Sequence, residues 1–228
     1  TDASAIYKRY IALHPKDPQA VLFNIRILEA YEKGRYAKLT LEAKEQFVSQ
    51  FHFNQAYWRR DETQALKAQV EPYLKKHMQE LARHYHAVAQ KSKDPADYTI
   101  AEKWYRLFVD IFTDDALAPS MHFLMAEALM ESNQIEKAAG EYEVTAYKYN
   151  EHAKAAEAGY AAILAYAGLE KSSSSERRKN HWRERSIDNA LRFSERFPED
   201  KRASIVLTSA AQSLFRDKDY AEAINVAY

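Results

Sequence analysis

The sequence predicts an all-α chain built as a solenoid of stacked antiparallel helix pairs, and three observations carry that prediction. Between Tyr98 and Asn150, apolar residues recur at steps of three and four, the rhythm of one buried helical face. Only Ser132-Asn133-Gln134 separates the pattern holding Phe123, Ala126, Leu129 and Met130 from the one holding Ile135, Ala138, Ala139, Tyr142 and Ala146, which leaves room for nothing but a tight antiparallel turn. Four Gly and six Pro in 228 residues are too few for the many turns of a β-rich protein. Alanines in comparable surroundings, Ala101, Ala138, Ala190 and Ala223, stand 37, 52 and 33 residues apart. Internal periods of that size mean helix pairs, each of which needs its neighbour to bury its apolar face.

In chain order, Ile6, Tyr7, Tyr10 and Ile11 mark the face of a first helix that His14-Pro15 ends. Asp17-Pro18 caps a second, whose face is Val21, Ile25, Leu28 and Tyr31 and whose C-cap is Gly34. A third runs from near Tyr36 through Leu39, Ala43, Phe47 and Phe51. The aromatic run from Phe47 to Trp58 then covers the step between neighbouring pairs, or forms an aromatic patch that receives a peptide side chain. Asp61-Glu62-Thr63 opens a helical stretch to about Lys91 that is broken or kinked near Pro72, and a new helix is expected to begin around Glu71-Pro72. Its stripe is Leu74, Met78, Leu81, Tyr85 and Val88, with His77 and His84 on the flank. Lys93 to Asp97 stops that helix and caps the one carrying Ala101 and Trp104.

Helices are then expected over Ala118–Glu131 and from Ile135, followed by an alanine-rich one from Ala155 to Leu169. Residues 170–180, with four consecutive serines, form a polar insertion that is either a loop or the exposed end of a long helix. A helix from Trp182 through Ile187, Ala190 and Phe193 ends at Phe197-Pro198-Glu199-Asp200. Ala203 to Phe215 and Tyr220 onward give the final pair.

These residues resemble the tetratricopeptide repeat. Asp219-Tyr220-Ala221-Glu222-Ala223-Ile224 matches the opening of that motif's second helix, Gly34-Arg35-Tyr36 and Asn133-Gln134-Ile135 match its turn, and Ala3, Tyr7 and Pro15 match the end of a second helix. Thr145 stands where a small Ala is usual and Asn150 where a closing Pro is, and the spacings 37 and 52 exceed the family's 34. Longer helices and phrases such as His-Phe-Leu-Met-Ala-Glu-Ala-Leu are similar to repeats of bacterial cell-envelope proteins, including outer-membrane assembly lipoproteins. The resemblance implies a right-handed superhelical solenoid spanning 1–228 as a single repeat domain, some of its helices longer than usual. It also implies a non-catalytic, periplasmic protein-binding scaffold. Both ends look cut, so the sequence reads as a piece of a longer chain, with any targeting or lipid anchor outside it.

Composition narrows the function. Thirty-three basic residues against thirty-three acidic ones leave no net field toward nucleic acid or anionic membrane. The absence of Cys excludes thiol catalysis and thiolate metal sites. No run approaches the roughly 20 apolar residues of a spanning helix. No nucleophile elbow, phosphate loop or paired-histidine zinc motif is present, so neither catalytic residues nor a cofactor are expected. His77, His84 and His86 do not converge on one helix, His77 and His84 being two turns apart, about 10 Å; no metal site is expected. Asp114-Asp115 reads as a helix cap. What remains is the concave groove, where Phe123, Glu127 and Met130 from one first helix and Thr208, Gln212 and Phe215 from a later one are expected to face a partner's peptide or helix. Two other readings stay open: a cytosolic co-chaperone gripping acidic tails, and the substrate-handling arm of an enzyme whose reactive residues lie elsewhere.

Overall fold

The computed structural model describes residues 2–14, 17–149 and 152–227. Among them the regular structure is entirely helical: α1 (Asp2–Leu13), α2 (Ala20–Lys33), α3 (Ala37–Phe51), a 3-10 turn (Ala56–Arg59), α4 (Asp61–Gln64), α5 (Lys67–Ser92), α6 (Pro95–Ile111), α7 (Ala118–Glu131), α8 (Ile135–Tyr147), α9 (Ala155–Ser172), α10 (Glu176–Arg196), α11 (Ala203–Arg216) and α12 (Tyr220–Ala227). The chain divides into two compact units. One gathers the residues up to Lys91 with Thr99–Thr113, the other Ser92–Tyr98 with the residues from Asp114 onward. Pro15 and Asn150, invoked above for a helix end and a missing closing proline, lie outside the described residues.

In the first unit α1 packs on α2 and α2 on α3. Their shared core holds Val21, Ile25, Leu28, Tyr31, Phe47 and Val48. α5 is tied across α2 and α3: the Tyr73 hydroxyl donates to Glu29, Lys76 pairs with Glu32, and Phe47 meets the His77 ring edge-on at 5.8 Å. The aromatic run after Phe47 turns inward. Trp58 is buried and its indole N–H donates to Phe51 O at 2.7 Å, while the Tyr57 hydroxyl donates to Pro18 O at 2.5 Å. Each ring's polar end is satisfied by backbone, so the run plugs the core.

Four expectations are corrected here. Pro72 does not start a helix: α5 runs unbroken from Lys67, and the break falls earlier, at Ala65-Leu66. Pro72 stands only five residues into α5, where it forfeits one backbone bond and the rest of the helix proceeds. The buried stripe of α5 is also rotated from the expected one, with His77, His86 and Ala89 inside and Val88 exposed, because His77 and His86 find polar partners in Glu80 and Tyr105. On α1, Ile6 is exposed and Tyr10 leans outward to donate to Asp17. Asp17 in turn accepts from the Gln19 amide at 2.7 Å, shaping the turn before α2 instead of capping the helix.

In the second unit each helix from α7 to α12 packs on the next in chain order. The central core is Ile163, Ala190, Phe193, Ala203, Val206 and Ala210. Small residues let the helices close. A methyl group added at Gly159 would stand 3.0 Å from the Phe193 ring, 3.2 Å from the Tyr147 hydroxyl and 3.4 Å from Ala146 Cβ. Residues 170–180 are mostly helix: α9 continues to Ser172 and α10 begins at Glu176. The capping role assigned to Asp94 holds, since its carboxylate accepts from the Ala96 amide at 2.9 Å; Asp115, like Asp17, accepts from the amide two residues on, Leu117 at 2.8 Å, and shapes the turn before α7 instead of capping it.

One turn recurs three times. After α2, α7 and α11, the third amide past the helix reaches back five residues and the second reaches back three: Tyr36 to Tyr31 and Arg35 to Glu32, Gln134 to Leu129 and Asn133 to Met130, Asp219 to Leu214 and Lys218 to Phe215. This is the double closure of a Schellman turn. Its left-handed residue is Arg35 (φ 57), Asn133 (φ 61) or Lys218 (φ 67); Gly34 beside the first of them has φ −77. A left-handed L-residue costs roughly 1–2 kcal/mol, partly offset by glycine's greater unfolded-state freedom. Arg35→Gly is therefore expected to raise stability by about 0.5–1 kcal/mol, read from the urea midpoint at constant m-value.

Candidate functional site

Aligning the turns at Asn133 and Lys218 places α7–α8 and α11–α12 in one register, offset by 85 residues. Ala118, Ala126, Leu129 and Ala138 fall on Ala203, Ala211, Leu214 and Ala223, and the six residues expected to face a partner fall on one another: Phe123 on Thr208, Glu127 on Gln212, Met130 on Phe215. They occupy three repeated positions.

Their surroundings differ. On α7, Phe123 is half-buried against Tyr142 of α8, ring centroids 5.8 Å apart, and the Lys154 ammonium, one residue before α9, lies over its ring at 5.6 Å. Glu127 accepts from the Tyr142 hydroxyl. Burial first, then Glu127 and Glu157 of α9, hold that hydroxyl far above the ordinary tyrosine range. Phe123 and Glu127, both half-buried, are thus engaged in packing among α7, α8 and the start of α9. Met130 is 36% exposed at the end of α7.

On α11 the same three positions stay open. Thr208, Gln212 and Phe215 line a groove of about 570 Å³ between α11 and α12, together with Ser204, Leu207, Ala211, Tyr220, Ala223, Ile224 and Val226. Phe215, Tyr220 and Ile224 are 65%, 51% and 58% exposed. None of the ten lining residues is charged, so the groove presents shape and apolar area without a fixed charge. A narrower groove of about 270 Å³ runs between α9, α10 and α11. Its apolar walls include Ile163, Leu164, Ile205 and Val206, and at one end Arg183 is clamped by Glu170 at 2.7 Å and Asp217 at 2.6 Å.

Two clusters invite a chemical reading. Ser120 Oγ lies 3.0 Å from His152 Nε2. The Lys154 amide donates to His152 Nδ1 at 3.3 Å, which leaves the ring proton on Nε2. The ring therefore donates to Ser120 and is in the wrong tautomer to take its proton. In the first unit, Glu32, His77 and Glu80 bring ligand atoms within 4.8 Å of one another, a grouping hidden in the sequence because Glu32 comes from another helix. Lys44 Nζ already stands among them, 3.1 Å from Glu32 and 2.9 Å from Glu80, with Lys76 at 3.3 Å from Glu32. Two ammonium groups balance the two carboxylates, and burial lowers the pKa of His77 so that it stays neutral. The set is a closed ion-pair network across α2, α3 and α5.

A scan of protein-family models finds none that matches the chain, and a search of curated protein sequences finds no match. No helix among the described residues is long and apolar enough to cross a membrane.

Proposed function

We propose that this chain is a non-catalytic protein-interaction scaffold, its second unit a tetratricopeptide-like run of antiparallel helix pairs that bend as a right-handed superhelix. The three-residue turns support antiparallel pairing, and the chain-order packing of α7 to α12 supports stacking. The observation that carries the reading is the uncharged groove between α11 and α12, which leaves Phe215, Tyr220 and Ile224 open to a segment of another protein. The resemblance to envelope repeats makes the bacterial periplasm the favoured compartment and envelope assembly the favoured context.

Site-specific photo-crosslinking tests this. A photoreactive residue at Gln212 or Thr208, in cells expressing the whole protein, is expected to give a discrete adduct with one partner that Phe215→Glu abolishes. The same group at Arg178, exposed on α10, is expected to give none. Equal labelling from all three positions, or turnover of a substrate by the purified chain, would refute the scaffold reading.

A further inference from the structure

In the first unit, α5 meets α2 and α3 around one buried imidazole. His77 is 2% exposed, and its Nδ1 atom lies 3.0 Å from Glu80 Oε2, its one hydrogen-bond partner among the described residues. A neutral ring donates from Nδ1 to that carboxylate and keeps its lone pair on Nε2. The ring stands edge-on to Phe47 at 5.8 Å and beside Tyr73 at 6.5 Å. The charged groups facing it are Glu32 from α2, Lys44 from α3, and Lys76 and Glu80 from α5. Lys44 bridges the two carboxylates at 3.1 and 2.9 Å, and Lys76 lies 3.3 Å from Glu32, so the four charges already sum to zero. Glu80 Oε2, the oxygen that serves the ring, is also the one that Lys44 reaches. A proton added to His77 would therefore be a buried charge that shares its only counter-ion with an ammonium group.

We infer that His77 is a proton-operated latch: one proton taken up by its ring loosens α5 from α2 and α3 and uncovers the apolar face between them. The second N–H that protonation creates has no acceptor among the described residues, and an unpaired buried donor on a cation is costly. Moving α5 away returns the ring to water and removes that cost. Burial, with Lys44 and Lys76 adding to it and Glu80 opposing, holds the ring's pKa below the ordinary 6.5. The folded value being the depressed one, the open form binds the proton more tightly. The stabilisation that His77 gives is present in full above about 6.5 and is lost as pH falls from there to the folded value. Against the effect of burial, Lys44 and Lys76 hold the Glu32 carboxyl below the usual 4.5, and Lys44 and His77 do the same for Glu80. Both carboxylates thus stay ionised while the ring titrates, and the network gains one positive charge without losing a negative one. Leu74, Met78 and Leu81 of α5, all wholly buried, are what the released face would expose.

Amide hydrogen exchange of the 228-residue chain tests this, measured at about pH 7.5 and about pH 5 and corrected for the intrinsic effect of pH on exchange. Residues 74–86 of α5 are expected to lose protection several-fold on acidification, while α11, in the second unit, keeps its own. His77→Gln retains a donor for Glu80 and takes up no proton. It is expected to preserve protection at about pH 7.5 and to abolish the response to acid. Should circular dichroism show that this variant does not fold, the unaltered chain decides. The imidazole NMR signals of His77, assigned through their proximity to the Phe47 and Tyr73 rings, are expected to titrate with a midpoint below 6.5 that coincides with the loss of protection along α5. Protection of α5 that does not change with pH, or a His77 midpoint at or above 6.5, would overturn the inference. So would a response that survives in His77→Gln, which would pass the role to another buried ring such as His86.

Discussion

Phe193→Ala is expected to lower the stability of the chain by about 3–5 kcal/mol, the range for removing a fully buried aromatic ring. The side chain is wholly inaccessible and meets Tyr160 and Phe197 at centroid distances of 6.4 and 5.2 Å, with Ile163, Ala190 and Val206 in the same cluster. Collapse into the cavity is limited because much of its wall is alanine, which has no length to extend, and α9 is already held close by Gly159. Gly159→Leu is expected to fail for the opposite reason, costing about 1–3 kcal/mol by overpacking against the ring. In the double variant the leucine enters the space the ring has left. The two losses are then non-additive by about 1 kcal/mol or more, since the sites touch. Urea unfolding of the four proteins reads this coupling, and strict additivity would mean that Gly159 does not set the distance between α9 and α10.

Much of the fold was legible because it is written in short-range patterns. The periodicity of Ile135, Ala138, Tyr142 and Ala146 locates α8, and Ser132-Asn133-Gln134 locates its turn, whose left-handed residue is Asn133, a type that tolerates that conformation. Arg35 and Lys218 adopt the same conformation with no sequence cue, since backbone closure imposes it on whichever residue falls there. Pro72 misled because a proline's effect depends on its distance from the helix start, and that start is fixed by the Leu66 carbonyl accepting from Gln69 and Val70. His77 misled because its partners are chosen in three dimensions.

For the candidate site, periodicity picked out equivalent positions on α7 and α11 but could not tell how differently they are surrounded. Phe123 and Glu127 look as available as Thr208 and Gln212 until Tyr142 and Lys154 are placed beside them. A helical face is a local property; its occupancy belongs to whatever packs on it. Expectations for such positions are therefore better drawn from the register between pairs than from any one pair.

Glu143→Ala is expected to cost about 2–3 kcal/mol, less than the usual penalty for breaking a fully buried ion pair because Arg185 and Arg192 remain partly in water. Glu143 Oε1 alone accepts from Tyr166 of α9 at 2.9 Å and from Arg185 and Asn189 of α10 at 2.6 Å each. Removing it leaves Asn189, which is wholly buried, with only its bond to Arg185 O at 3.0 Å. The Asn189 Oδ1 atom already lacks a partner among the described residues, so the network carries a standing desolvation cost. Asn189→Leu in the Glu143→Ala background is accordingly expected to recover at least half of the loss, as apolar replacement of both members of a buried polar pair removes the cost of the orphaned group. If the double variant unfolds at lower urea than either single one, the polar bonds themselves hold α8 to α10. If it recovers, the net contribution of the hub is positional: one carboxylate oxygen that three donors on two helices must reach fixes the register at which α9 and α10 seat on α8.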